Sequence, residues 1–172
     1  LGRALDVPDV ILQKLSDDVQ RNLVILRKVE ELVQERGHTR IIVFAATIEH
    51  ARILAAILRI RAIDASSVTT RTSDVDRRRM ITRFRNVTET PMVLCNYGVL
   101  TTGFDAPQTS AVVIARPTQS LVLYTQMVGR GIRGPRAGGN KEAEIVTVVD
   151  EQIMPGATDP GAAFLNWEDV WT

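Results

Sequence analysis

Two short apolar runs, 92–95 (MVLC) and 111–115 (AVVIA), limit the fold more than any other feature of the sequence. Each is too short for a stable helix and is bounded by turn formers, the pattern of a strand buried on both faces. Strands of that kind belong to parallel sheets covered by helices on both sides. The intervening 98–107 (GVLTTGFDAP) is a loop, since two Gly and a Pro break regular structure, and Thr101, Thr102 and Asp105 give it polar chemistry. In open parallel sheets the loops leaving the carboxyl ends of strands gather where ligands bind.

The rest of the chain repeats this alternation. Apolar or β-branched segments near 41–46, 62–69 and 145–149 complete five expected strands, separated by helical patterns. Across 17–36, Val19, Leu23, Leu26, Val29 and Val33 recur at spacings of three and four, Asp17 and Asp18 suit the start, and Gly37 suits the stop. Thr47 can cap a second helix running to about Arg59, with Ile48, Ala51, Ile53, Leu54, Ile57 and Leu58 as its apolar side. Ser73 and Asp76 have capping-box spacing before a third helix. That helix carries Arg77, Arg78, Arg79, Arg83 and Arg85 and turns Met80, Ile81 and Phe84 inward. Ser120 or Thr118 can cap a fourth, packed through Leu121, Val122, Tyr124 and Val128. The expected architecture is a three-layer α/β sandwich with a mostly parallel sheet.

At 172 residues the chain suits one domain of 17–150, preceded by a lead-in at 1–16 and followed by a tail at 151–172. The tail holds four acidic residues, no Lys or Arg, and both Trp167 and Trp171. It reads as irregular, with aromatics docked on the domain or on a missing neighbour. A net charge of +1 advertises no global polyanion field, so any nucleic-acid surface is local. The single Cys excludes an internal disulfide and gives no metal cluster. His38 and His50 read as surface residues rather than ligands. No apolar run reaches membrane-span length and no signal peptide is visible, so a cytoplasmic protein is expected. The chain opens on Leu1 rather than Met, which suits a fragment.

The chemistry is concentrated after the second of the two opening runs. Gln126 and Arg130 stand at i and i+4, Arg133 three residues further, and Gly129, Gly131 and Gly134 leave room for close approach. Two guanidinium forks and an amide converging beside small residues make an anion site suited to phosphate. A solvated basic helix end, favoured by the helix dipole, accounts for the same spacing.

Gly129-Arg130-Gly131-Ile132-Arg133 after Gln126 resembles motif VI of superfamily two helicases, and 99–107 resembles their motif V. Both occur in order, at the expected separation, and the likeness covers roughly 40–150. It is closest to the DEAD/DEAH-like helicases of DNA repair and restriction, whose motif V also reads GFDxP. The strand, cap and helix around Thr47 are similar to motif IV. Arg78, six residues before Phe84, matches a further family segment.

The resemblance implies the second RecA-like domain of a helicase core. Arg130 and Arg133 would act as arginine fingers on ATP, with Gln126 near the γ-phosphate or holding the fingers. Gly103, Asp105 and Gly129 would border the nucleotide. Thr101 and Thr102 in the loop, Arg71 before the third helix, and Arg78 on it would lie along the nucleic acid, with DNA favoured over RNA. A loop cap before Ala106 and Pro107 is an alternative role for Asp105, and a solvated face one for the Arg cluster. One departure stands out: where many relatives have a Thr seven or eight residues before the motif V Asp, this chain has Gly98 and Tyr97. The chain has no G-x-x-x-x-G-K-[ST] phosphate loop. ATP and Mg²⁺ would therefore be held mainly by a missing N-terminal RecA-like domain, no metal site is expected here, and the isolated chain should be inactive. A double-stranded DNA translocase of restriction or remodelling, and a non-catalytic RecA-like binding domain, are the alternative readings.

Overall fold

The computed structural model describes residues 6–86, 88–99, 105–131, 134, 136 and 138–150. Five parallel strands lie in one sheet, β1 (Arg40–Phe44), β2 (Asp64–Thr69), β3 (Met92–Tyr97), β4 (Ala111–Ile114) and β5 (Glu144–Thr147), in the order β2-β3-β1-β4-β5. The two opening runs are β3 and β4, on either side of β1 at the centre of the sheet. All five residues of β1 are buried, the apolar run 41–44 as expected of a central parallel strand and Arg40 with it.

Alternate strand residues feed two separate cores. Ile41, Val43, Val93, Cys95, Ala111 and Val113 face α2 (Val19–Gln34) and α3 (Ile48–Ile60). Ile42, Phe44, Leu94, Val112 and Ile114 face α4 (Asp74–Arg85) and α5 (Leu121–Val128), which contribute Phe84, Met127 and Val128. The period-two alternation of a strand thus produces the three layers. Burial raises the Cys95 thiol to about 12, so it packs as a small apolar group rather than a nucleophile.

Several helix details differ from expectation. The expected helix over 17–36 is α2, which starts two residues later because the Asp18 carboxylate caps it by accepting from the Arg21 N–H, and the expected lead-in at 1–16 holds a further helix, α1 (Asp9–Asp17). Residues 19 and 23 are not the buried stripe of α2. Ile25, Leu26, Val29 and Leu32 are, while Val19 is 68% exposed. The reason is Arg21 and Asn22, two polar residues that turn inward and rotate the helix about its axis. On α3, Ile53 is 42% exposed, and Ala55 takes its place in the core. On α5, Val122 is exposed and Met127 is buried. The caps follow the sequence: Thr47, Ser73 and Ser120 each accept a hydrogen bond from the backbone N–H three residues on. Thr118 instead accepts from the Ser120 N–H. Gly37 has φ +71°, the left-handed conformation that ends a helix at low cost in Gly.

His50 is not on the surface. It is fully buried, its Nδ1 accepts from the Ala46 N–H at 3.0 Å, and its Nε2 meets Asn22 Oδ1 at 2.8 Å. Because Nδ1 is an acceptor, Nε2 carries the proton and donates. Burial and the Arg21 guanidinium, opposed by Asp17, lower its pKa to about 4. His38 is half-buried and faces Glu144 across 3.1 Å.

Candidate functional site

The loop ending at 107 and α5 meet on one face of the sheet. Ala106, next to Asp105, lies in the same apolar cluster as Met127 and Val128, which flank Gly129 and follow Gln126. Asp105 itself is exposed, and its main-chain carbonyl accepts from Arg85 Nε on the last turn of α4. Asp105, Gln126, Gly129 and Arg130 are thus carried by segments anchored in one apolar cluster on the α4–α5 side of the sheet.

The path to Arg130 is tighter than a continued helix. α5 ends at Val128, and the N–H groups of Arg130 and Gly131 bond three residues back, to Met127 and Val128, at 3.1 and 2.9 Å. Arg130 still turns toward Gln126, with Nε donating to the Gln126 carbonyl at 3.2 Å. Gly131 is required by packing. A Cβ there would lie 2.9 Å from Val112 Cγ2 and 3.1 Å from Ile145 Cδ1, so the turn rests directly on β4 and β5. Its small size serves this domain's own sheet rather than an approaching ligand. Gly134 has φ +63° and open space around it. Arg133, Gly103, Thr101 and Thr102 lie outside the described residues.

Of the expected nucleic-acid residues, Arg71 and Arg78 are described. Arg71, in the turn after β2, is 66% exposed and 3.9 Å from Glu49. With Thr47, Glu49 and Tyr97 it lines a groove of about 290 Å³ at the carboxyl ends of the strands, closed on one side by Asp9, Leu12 and Gln13 of α1. On α4 the five Arg are not equivalent. Arg79 pairs with Asp76 at 2.9 Å, Arg83 with Asp64, and Arg85 with the Asp105 carbonyl. Arg77 folds back toward Asp74 and the Thr72 carbonyl, with its Nε buried. Arg78 is exposed and pairs with no carboxylate among the described residues.

Two buried cations, Arg40 and Arg21, and the half-buried Arg116 escaped the sequence reading. Arg40, 2% exposed, opens β1 and donates to the carbonyls of Thr39, Phe84, Asn86 and Thr90 at 2.6 to 2.9 Å. It satisfies the free carbonyls at the end of α4, and desolvation lowers its pKa from the usual Arg range. Arg21 forms a bidentate pair with Asp150 at 2.7 and 2.9 Å and donates to the Ala115 carbonyl at 2.7 Å. Arg116 lies 5.2 Å over the Tyr97 ring and 3.4 Å from Asp6. The only sequence signal for Arg40 and Arg21 is an Arg in an otherwise apolar strand and on the inward side of a helix. Among the described residues, no three His, Cys, Asp or Glu side chains gather as a metal site, and no helix is long and apolar enough to cross a membrane.

Comparison with known proteins gives this geometry a family context. Residues 24–135 match the model of the Helicase conserved C-terminal domain. A Saccharomyces cerevisiae protein named as the ATP-dependent helicase IRC3 is 33% identical over 122 residues, 71% of this chain and 17% of that protein. The Type I restriction enzyme EcoKI endonuclease subunit of Escherichia coli is 28% identical over 123 residues, 65% of this chain and 10% of that protein. The chain thus spans a small fraction of the length of these relatives. Among solved structures, the C-terminal domain of the DEAD-box protein Dbp5 superposes with a TM-score of 0.65 at 23% identity, covering 85% of this chain and 79% of that one. At that identity the likeness concerns the fold, and it is the RecA-like fold of a second helicase domain.

Proposed function

Because the chain belongs to the family of helicase conserved C-terminal domains, we propose that it is the second motor domain of an ATP-driven nucleic-acid helicase. In this reading 17–150 form the motor domain and 1–16 lead into it. The observation that supports the reading is the family match over 24–135, which takes in both the loop with Asp105 and the end of α5 with Gln126, Gly129 and Arg130, where Arg130 Nε bonds the Gln126 main-chain carbonyl. A guanidinium, an amide and exposed loop backbone suit a polyphosphate. They do not suit Mg²⁺, which needs oxygen ligands that the described residues do not gather. Bound ATP would supply the phosphoanhydride, with its phosphate loop and Mg²⁺ ligands contributed by another domain of the full-length protein.

Arg130 then places positive charge where negative charge grows on the leaving phosphate, and Arg133 adds a second guanidinium. Gln126 fixes the Arg130 stem through its carbonyl, and Asp105 and Gly103 border the same cleft. Arg71 and Arg78, with Thr101 and Thr102, hold the backbone of the nucleic acid. Its class is DNA, a reading supported by the restriction-enzyme relative. Hydrolysis releases the Arg contacts, the domains part, and the strand-binding surface advances. A double-stranded translocase would use the same parts without strand separation.

The test is ATP hydrolysis by the full-length protein and by the 172-residue chain, each with and without DNA. DNA-stimulated turnover in the first and none in the second is expected. Turnover that purifies with the short chain would overturn the half-site reading.

A further inference from the structure

One apolar groove lies on the face of the sheet opposite α4 and α5. It measures about 270 Å³ and runs between α2 and α3, floored by Leu26 and lined by Val19, Leu23, Ile53 and Ile57. Val19 and Ile53 are large apolar side chains left 68% and 42% exposed, one on each wall. Asp17 also lines it, the exposed Arg27 follows Leu26 in sequence, and Arg52, next to Ile53, is paired with Glu49 at 3.1 Å.

The path of the chain points to an occupant. Asp150 is clamped to Arg21 of α2 by a bidentate pair buried to 9% and 6% side-chain exposure, so the segment that follows it starts beside α2. Crossing one helix, roughly 10–12 Å wide, leads to the groove. Residue 167 follows Asp150 by 17 positions, a reach of up to roughly 56 Å when extended, so length is no obstacle. In that segment Phe164, Trp167 and Trp171 recur at three and four residues, the spacing of a single helical stripe. Glu168 and Asp169 stand between the two Trp, and 151–172 contain no Lys or Arg, which complements the exposed Arg27.

We propose that segment 164–171 docks back onto its own domain in the α2–α3 groove, with Trp167 and Trp171 as anchors. The mode is an apolar stripe laid into a groove between two helices. Arg21 and Asp150 act as the hinge post from which the segment folds over α2.

The chain has only two Trp, and both lie in this segment, so selectively excited tryptophan emission reports on it alone. The expected result for the 172-residue chain is blue-shifted emission, shielded from acrylamide and independent of protein concentration. Val19→Asp or Ile53→Asp should each move the emission to that of solvated indole, with unchanged far-UV circular dichroism. Val75→Asp, at an exposed apolar residue on the opposite helical layer, should leave it blue-shifted. Since Val19 and Ile53 are on different helices and largely exposed, each variant tests the groove independently. Solvated emission in the unmodified chain would overturn the proposal. So would emission that ignores both groove variants, or a blue shift that appears only with rising concentration, the mark of a second copy.

Discussion

Arg85 on the last turn of α4 donates its Nε to the main-chain carbonyl of Asp105. That bond joins the helix carrying Arg78 to the loop that leads into β4. The same end of α4 is held from the other side by Arg40, which donates to the Phe84 and Asn86 carbonyls. α4 is thus braced against β1 and tied by one side chain to the loop.

If Arg78 contacts nucleic acid and Asp105 borders the nucleotide, Arg85 is a direct link between them. Arg85→Gln in the full-length protein should reduce DNA stimulation of ATP hydrolysis by about 3- to 30-fold, the usual weight of a coupling residue. DNA affinity and unstimulated turnover should change less than about twofold. Titrating hydrolysis against DNA separates the maximal rate from the half-saturating concentration. Loss of both together would make Arg85 a fold residue instead.

His50 gives a pH dependence with a definite sign. Its folded pKa, about 4, lies below the unfolded value near 6.5, because burial disfavours the imidazolium and the Arg21 guanidinium repels it, with Asp17 opposing. Its contribution is fully present above pH 6.5 and is lost as pH falls from there through 4. The total loss is on the order of 3 kcal/mol. Urea midpoints should therefore fall between pH 6.5 and 4.5, and His50→Gln should flatten that slope. The paired comparison matters because carboxylates begin to titrate at the lower end. A slope identical in both proteins would remove His50 as its origin.

Much of this architecture was legible in the sequence, for a physical reason. Buried parallel strands are continuous apolar runs, and Thr47, Ser73 and Ser120 are caps whose chemistry is local. What could not be read depends on partners distant in the chain. Arg21 turns inward because Asp150, 129 residues away, and the Ala115 carbonyl meet it. His50 is buried because Asn22 and the end of β1 satisfy both ring nitrogens. Spacing put Gln126 and Arg130 on one helical face, whereas the helix ends between them and a hydrogen bond keeps them together.

The Arg cluster of α4 separates under the same logic. Arg77 is folded back with its Nε buried, and Arg79 is paired with Asp76, whereas Arg78 is exposed. Arg78→Gln should weaken DNA binding alike for all sequences and reduce the salt slope by about one. Arg77→Gln should instead lower thermal stability, leaving the salt slope unchanged. Binding isotherms at several salt concentrations decide this. Equal effects of the two substitutions would mean that the helix presents a diffuse positive face rather than one contact.

The strongest expectation concerns Arg130. Its Nε is held by the Gln126 carbonyl, and Gly131 seats the turn on Val112 and Ile145, so the position of the guanidinium is fixed by the sheet. A preorganised cation gains most where charge develops during reaction, since no reorganisation is needed at that moment. It therefore stabilises the transition state more than bound ATP. Arg130→Ala in the full-length protein should lower kcat for ATP by about 10³, while KM changes by less than about tenfold. Stability should be nearly unchanged, because Arg130 is only half-buried and its backbone bonds to Met127 do not depend on the side chain. Arg130→Lys should recover little, since an ammonium on a flexible stem cannot reproduce both the carbonyl bond and the phosphate fork. If Arg130→Ala retains kcat within a few-fold, or unfolds the domain, the guanidinium is a structural clamp on the turn and another cation must meet the phosphate.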